Sequence, residues 1–407
     1  MLKKTVFILT ILSLLVSCKK RIESDKLIGE WGKRIVSDKK IIELVSNNFD
    51  TIPDTEIPEM IIPSPTGFYR PYGFSFSLDK FELFNGFDKV MRDSISNKRK
   101  NYYLGNFTDY ELRNDSIFII EPFEKEWSFM WKIKELDDDK LVVIQNDSVI
   151  KKYFRLKNNN SLDFDQIIYS SSGCYGTCPI IDVSVDKNGN MIFQGEKYVN
   201  QIGFFKKKLS PETVQYIFDK FSKIKIDELS DNYDVGHTDD QVISTTLIKN
   251  GKIVKTIHDY GKIAPRELFW AYNRISNLHN LILFDSIKNE RPYYPKLHYY
   301  TFRKDKLILP LEKSESFYFW NELLKSKKTS KEHKELYIIT LRGNFVYFSN
   351  DLNENTKPQY IVKKITTDGQ LYTFIYEDGI KRTYDLGYNF IERNFNENNF
   401  RKPKKWE

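Results

Sequence analysis

From Leu27 to about Lys157 the chain alternates apolar and polar residues in short runs. Phe74 to Leu83 alternates around Ser75, Ser77 and Asp79. Tyr110 to Arg113 is followed by a polar turn at Asn114-Asp115 and a return over Ser116 to Ile120. Trp127 to Leu136 alternates again. The acidic turn Asp137-Asp138-Asp139 leads into Leu141 to Ile144, and Val149 to Leu156 closes the series. A period of two marks strands with one buried face. Short strands at regular spacing, separated by turn residues, predict a meander that curls into an antiparallel barrel or half-barrel. Ile52 to Pro71 breaks the pattern; it is rich in Pro and Ile and reads as a long loop.

After the polar linker Lys157-Asn-Asn-Asn-Ser161 the periodicity becomes mixed. Gln166 to Ser170 reads as a strand. Over Pro179 to Asp186, Ile181, Val183 and Val185 share one face, and Asp182, Ser184 and Asp186 share the other. Asn188-Gly189 is a hairpin dipeptide, because both turn positions need positive φ. Ser210-Pro211-Glu212 opens a helix: Ser caps, Pro fits the first turn and Glu suits the positive dipole end. Val214, Ile217, Phe218 and Phe221 form its buried stripe. Val242 to Lys249 and Lys252 to His258 pair around Asn250-Gly251. Pro265 to about Ile282 is a second helix, burying Leu268, Phe269, Tyr272, Ile275 and Leu278. Strands, helix, hairpin and helix in this order predict an antiparallel sheet with helices on one side.

Beyond the linker Lys288 to Pro295 a third segment repeats that style without residue-level similarity. It has a strand near Leu297 to Arg303 and a helix from about Ser314 to Lys325, packed through Phe317, Trp320, Leu323 and Leu324. Hairpins follow at Gly343-Asn344, Asp368-Gly369 and Asp378-Gly379. The expected fold is multidomain and β-rich: a barrel over 27–157, then α+β domains over 162–286 and 295–398. The tail from Asn399 is polar.

Composition adds little to this picture. Phe (30) and Tyr (25) are abundant, which favours strands. The net charge of +7 is mild over 407 residues and forms no basic stripe, so nucleic acid is not an expected partner.

The first eighteen residues supply an address. Lys3 and Lys4 precede an uninterrupted apolar run from Val6 to Val16, too short for a permanent membrane helix. Leu15-Val16-Ser17-Cys18 resembles the bacterial lipobox, where small residues precede a cysteine that receives a diacylglyceryl group. The resemblance implies that residues 1–17 are a lipoprotein signal peptide, that Cys18 is lipidated, and that 18–26 tether the chain to a membrane. Lys19, Lys20 and Arg21 would then sit among anionic headgroups. The basic residues after Cys18, with no aspartate beside it, fit transfer to the outer membrane, on either face. No other segment reaches the length of a membrane span.

Two further resemblances come from motifs. Leu27-Ile28-Gly29-Glu30-Trp31 resembles the Gly-x-Trp opening of lipocalin-like domains, in which the Trp plugs one end of the barrel. Lys152-Tyr153-Phe154-Arg155-Leu156 resembles their closing strand. The barrel interior is then either filled by side chains or holds a small apolar ligand. Gly173-Cys174-Tyr175-Gly176-Thr177-Cys178-Pro179 resembles a family of bacterial envelope domains of unknown function, DUF6438. The likeness continues through Asn188-Gly189, Asp231-Asn-Tyr233, Thr238-Asp239 and Asn250-Gly251-Lys252 to the helix after Pro265. The family pattern carries an aromatic two residues after the Pro, where this chain has Ile181. This resemblance implies a fold unit without a known activity.

With Cys18 acylated, Cys174 and Cys178 remain, and in an exported protein such a pair reads first as a disulfide. Gly176 permits the sharp turn that closing so small a loop requires. The alternatives are weaker. Redox centres usually place two residues between their cysteines, not three. A c-type haem site needs His where Pro179 stands, and zinc would have to recruit the distant His237 or His258. The remaining candidates form a functional pocket of Tyr175, Tyr233, His237, Thr238, Asp239, His258 and Tyr260. His237-Thr238-Asp239-Asp240 could be an oxygen-rich cation loop or a solvated turn. His258 and Tyr260 share one strand face with Asp259 opposite. No nucleophile elbow, phosphate-cradling loop or His-Glu-x-x-His appears.

No catalytic residue, metal or cofactor is therefore assigned. The expected function is a lipid-anchored, non-catalytic binding or scaffolding protein of the bacterial envelope, with an envelope component or a small apolar molecule as partner. A hydrolase of envelope polymers or a thiol-active enzyme is the remaining class.

Overall fold

Alternation in the first segment closes on itself. A computed structural model describes residues 23–33, 72–92, 99–146, 148–157, 163–287, 291–295, 299–342 and 362–405. The leader with Cys18, the loop from Ile52 to Pro71, most of the first linker and the Gly343-Asn344 turn lie outside them. The chain divides into two compact units, and the described residues up to Lys157 form the first.

In the first unit, β1 (Gly29–Gly32), β2 (Gly73–Phe76), β3 (Lys80–Leu83), β6 (Phe107–Arg113), β7 (Ser116–Ile120), β8 (Trp127–Leu136), β9 (Lys140–Gln145) and β10 (Val149–Arg155) form a closed antiparallel barrel. Its order is β1-β10-β9-β8-β7-β6-β3-β2. A separate hairpin pairs β4 (Asp88–Arg92) with β5 (Arg99–Tyr103). The run from Phe74 to Leu83 is two strands, because the Ser77 N–H donates to the Lys80 carbonyl at 2.9 Å and reverses the chain.

Rings fill the barrel interior. Trp31, Phe74, Phe76, Phe81, Trp131 and Tyr153 are buried together, with Phe74 ring centres 5.0 Å from Trp131 and 4.8 Å from Tyr153. Trp31 donates its indole N–H to the Leu27 carbonyl at 2.8 Å. The Arg155 guanidinium stacks 4.3 Å from the Trp31 ring and bonds the carbonyls of Lys26 and Ile28. Gly29 has a φ of +131°, and a Cβ there would collide with the Arg155 Nη1. The glycine two residues before the Trp is favoured by this positive φ, which strains any residue with a side chain.

The second unit holds the remaining elements in two sheets. The first sheet is built from β11 (Gln166–Ser171), β12 (Ile180–Asp186), β13 (Asn190–Lys197), β14 (Gly203–Lys208), β15 (Asn232–Asp234), β16 (Val242–Lys249), β17 (Lys252–Tyr260) and β18 (Asp285–Ser286). Its order is β15-β17-β16-β11-β12-β13-β14-β18, antiparallel except for the β15–β17 pair. Helices α1 (Pro211–Ser222) and α2 (Arg266–Ser276) cover one face. There Val214, Ile217, Phe221, Leu268 and Ile275 meet Ile167, Ile181, Val183, Phe193 and Leu247. The Ser210 hydroxyl accepts from the Thr213 N–H and caps α1.

Helix α2 stops short of the expected Ile282. Asn277 donates its amide to the Asn273 carbonyl and His279 donates to that of Ser276. These acceptors would otherwise serve the next turn, and a short 3₁₀ turn over Leu278–Asn280 follows instead.

The second sheet takes β19 (Tyr299–Lys304), β20 (Leu307–Pro310), β21 (Lys327–Thr329), β22 (Tyr337–Arg342), β23 (Val362–Thr367), β24 (Leu371–Tyr376) and β25 (Lys381–Asp385). Their order is β20-β19-β22-β23-β24-β25-β21. Helix α3 (Lys313–Lys325) lies against both sheets; a short α4 (Phe390–Asn394) packs beside it. Phe317, Tyr318, Phe319 and Trp320, consecutive around α3, share one core with Ile168 and Ile248 of the first sheet and Phe302, Tyr372 and Phe374 of the second. Four consecutive rings point to every side of a helix, so this part of α3 is buried all round. The α+β segments read separately from the sequence are in this way a single compact unit.

Trp31→Ala should destabilise the barrel by about 3–5 kcal/mol, the range for removing a large ring from a packed core. Chemical denaturation followed by barrel tryptophan fluorescence measures it. A loss below about 1 kcal/mol would show that the plug is dispensable.

Candidate functional site

The most distinctive sequence motif forms a loop between β11 and β12. Cys174 and Cys178 are joined by a disulfide, with Cα atoms 5.7 Å apart. Gly176 takes a φ of +152° inside the ring. The loop stands on a second set of bonds. Ser171 Oγ donates to the Pro179 carbonyl at 2.8 Å. Gln241 Nε2 donates at 2.9 Å to the carbonyls of both Ser172 and Pro179, which clamps the two ends together. The Val242 N–H donates to Ser172 Oγ. At the tip the Tyr175 N–H donates to the Asp239 carbonyl at 2.9 Å, while the Tyr175 side chain is 88% exposed.

The neighbouring turn over His237 to Asp240 is tied into the same edge. His237 Nε2 pairs with the Asp240 carboxylate, and Thr238 Oγ1 donates to its neighbour Asp239. The Asp240 N–H donates to the Tyr260 hydroxyl at 3.1 Å. Tyr175, Asp239, Asp240 and Tyr260 therefore meet, through backbone bonds more than through converging side chains. Tyr233 does not join them. It pairs in register with Asp259, packs against the core beneath α1 and α2, and accepts from the Ser230 N–H.

His258 shares the Tyr260 face but turns to another partner. Its Nδ1 lies 3.1 Å from Glu312 Oε2. The Glu312 carboxylate raises the His258 pKa through this bond, against the opposing effect of burial. Glu312 is the N-cap of α3 in a reciprocal capping box with Glu315. Burial pushes the Glu315 carboxyl up to about 7. Asp259, on the helix face, is 1% exposed and accepts from the Ile263 and Ala264 N–H groups with Oδ1. Burial pushes its carboxyl up to about 6, partly offset by those amides.

One arrangement was not legible in the sequence. Cross-strand register lines up Gln194, Asp182, Ser170, Ser244, His258 and Asn232 as one polar row across the sheet. The alternation of β12 left Asp182 and Ser184 on the face away from the first core. That face is buried: Asp182 is 0% exposed. The first turn of α3 lands on the row. Glu312 meets His258, Lys313 Nζ lies 2.7 Å from Asp182 Oδ2, and the Ser314 N–H donates to Ser244 Oγ at 2.9 Å. Gln241 was missed as well; it follows the conspicuous His-Thr-Asp-Asp turn, and no periodicity marks it.

Residues 165–279 match the family model described as "Domain of unknown function (DUF6438)". The match begins at β11 and ends in the 3₁₀ turn after α2, so it takes in the cystine loop and the polar row but not α3. No curated protein matches the chain.

The Asp259 carboxyl generates a pH prediction. Its folded pKa, about 6, lies above the unfolded Asp value of about 3.9. Its contribution is therefore fully present below about pH 4 and is lost as pH rises through about 6, a swing on the order of 3 kcal/mol. His258, also raised, has the same sign at higher pH. Asp259→Asn keeps the Oδ1 acceptor and removes the ionisation. The difference between variant and native unfolding free energies should grow in favour of the variant from about pH 4 to about pH 6. A difference constant with pH would show that Asp259 does not titrate in this range.

Proposed function

We propose that this chain is a lipid-anchored protein of the bacterial envelope that binds a partner, without catalysis, through the cystine-loop edge of its DUF6438 domain. The observation that carries the reading is Tyr175. A large ring held out in solvent is unfavourable by itself, yet this one sits on a loop closed by a disulfide and clamped by Gln241. A rigid, exposed aromatic loses little conformational entropy on binding and is a frequent interface anchor.

The other candidates have structural employment. His258 pairs with the α3 cap, Asp259 holds the backbone leading into α2, and Tyr233 packs on the core. The barrel, with its Gly29–Trp31–Arg155 closure, resembles lipocalin-like domains. Its ring-filled interior favours the side-chain-filled form over one that carries a small apolar ligand.

The address rests on the N-terminal pattern. Lys3 and Lys4, the short apolar run and Cys18 support a lipid anchor, and a disulfide accords with an oxidising compartment. Cleavage before Cys18 would leave 407 − 17 = 390 residues.

Two variants test the proposal. Cys18→Ser should move the protein from the membrane pellet to the soluble fraction; unchanged pelleting would remove the anchor. Tyr175→Ala should leave the melting temperature within about 1 °C, since it removes an exposed ring. It should also abolish the adducts that native protein forms under short-range cross-linking in intact cells. Persistence of the same adducts would overturn the binding role of this edge.

A further inference from the structure

Three ionisable side chains meet where α3 lands on the polar row. Lys313 Nζ lies 2.7 Å from Asp182 Oδ2 and 3.9 Å from Glu196 Oε2. Lys313 is 5% exposed and Asp182 0%, and the Glu196 side chain is 3% exposed. The three come from separate elements, α3, β12 and β13. Tyr294 stands beside both carboxyls and packs among Phe204, Phe317 and Trp320. This is an aromatic-walled, water-poor site holding an amine and two carboxyls.

An ion pair is a poor resting state in such a place. Each charge has lost its hydration, and one attractive contact recovers only part of it. Burial holds the Asp182 carboxyl above the usual range even against the attraction of Lys313, so the neutral acid is within reach. The Ser170 and Tyr294 hydroxyls stand beside the Asp182 carboxyl. With Lys313 Nζ 2.7 Å from Asp182 Oδ2, a rotation of the carboxyl about its Cβ–Cγ bond would turn its carbon towards the amine.

We propose that Lys313 and Asp182 condense into an intramolecular isopeptide bond, with the Glu196 carboxylate as proton carrier. Proton transfer within the pair gives a neutral amine and a neutral acid. Lys313 Nζ attacks Asp182 Cγ, and the C–N bond forms. Glu196 takes a proton from the attacking nitrogen and returns it to the departing hydroxyl, so the C–O bond breaks and one water leaves. Nothing is oxidised or reduced, no cofactor is consumed, and Glu196 ends as it began. The product is a neutral amide whose carbonyl faces the Ser170 and Tyr294 hydroxyls. It would tie β12 covalently to the first residue of α3, 131 positions later in the chain. The DUF6438 segment and the C-terminal segment would then resist separation even where their shared core loosens.

Intact mass and peptide mapping of the purified, reduced full chain test this. Once cleavage and acylation at Cys18 are accounted for, the folded protein should be lighter than its polypeptide by one water, and digestion should yield a branched peptide containing both Lys313 and Asp182. Lys313→Arg should restore the full mass. Glu196→Gln, which keeps size and shape, should leave most of the chain unlinked with native circular dichroism. A native protein of full mass, with Lys313 and Asp182 in separate peptides, overturns the proposal. So does a loss of water that maps elsewhere, such as cyclised Asp378-Gly379. These outcomes are read on the unsubstituted chain and do not depend on any variant folding. Full linkage in Glu196→Gln would overturn the assignment of Glu196.

Discussion

The second unit depends on one contact: the first turn of α3 against the polar row of the first sheet. That turn brings its cap carboxylate to His258, its lysine to Asp182 and a backbone amide to Ser244. A helix start exposes unsatisfied N–H groups and a positive dipole end, and burying it requires acceptors and negative charge in matching places. The row supplies both. Once the turn is seated, the rest of α3 lies over Ile168 and Ile248, and its rings close the core shared by two sheets. The polar residues therefore set the position, and the aromatic ones supply the burial.

The same division recurs in the barrel. Trp31, Phe74, Trp131 and Tyr153 supply buried area, while the Arg155 guanidinium fixes how the first and last strands meet. In both units a long cationic side chain joins segments far apart in the sequence, 127 to 131 positions, across a joint that hydrophobic packing alone would leave free to slide. Directional bonds specify geometry more sharply than apolar burial does.

The cystine loop is the opposite case. Its bonds, from the Gln241 side chain and the Tyr175 amide, hold the loop backbone and leave the Tyr175 ring in water. The candidate histidines and carboxylates around it bond to caps, turns and each other, which explains why residues that look chemical in the sequence serve structural ends here.

Local chemistry determined much of this protein. Period-two alternation marked the barrel strands, Asn-Gly pairs marked the hairpins, and Ser210-Pro211 began α1. These are decided by neighbours a few residues apart, so one sequence window contains the cause. Tertiary structure alone decided that Asp182 is buried, that His258 belongs to Glu312, that Gln241 clamps the cystine loop and that Tyr233 faces away from Tyr260. Each depends on which strand lies beside which and on what covers the face that alternation leaves polar. A polar face reads as solvated until a distant helix with matching charge is known to lie on it, and that match is a property of the folded surface, not of any stretch of chain.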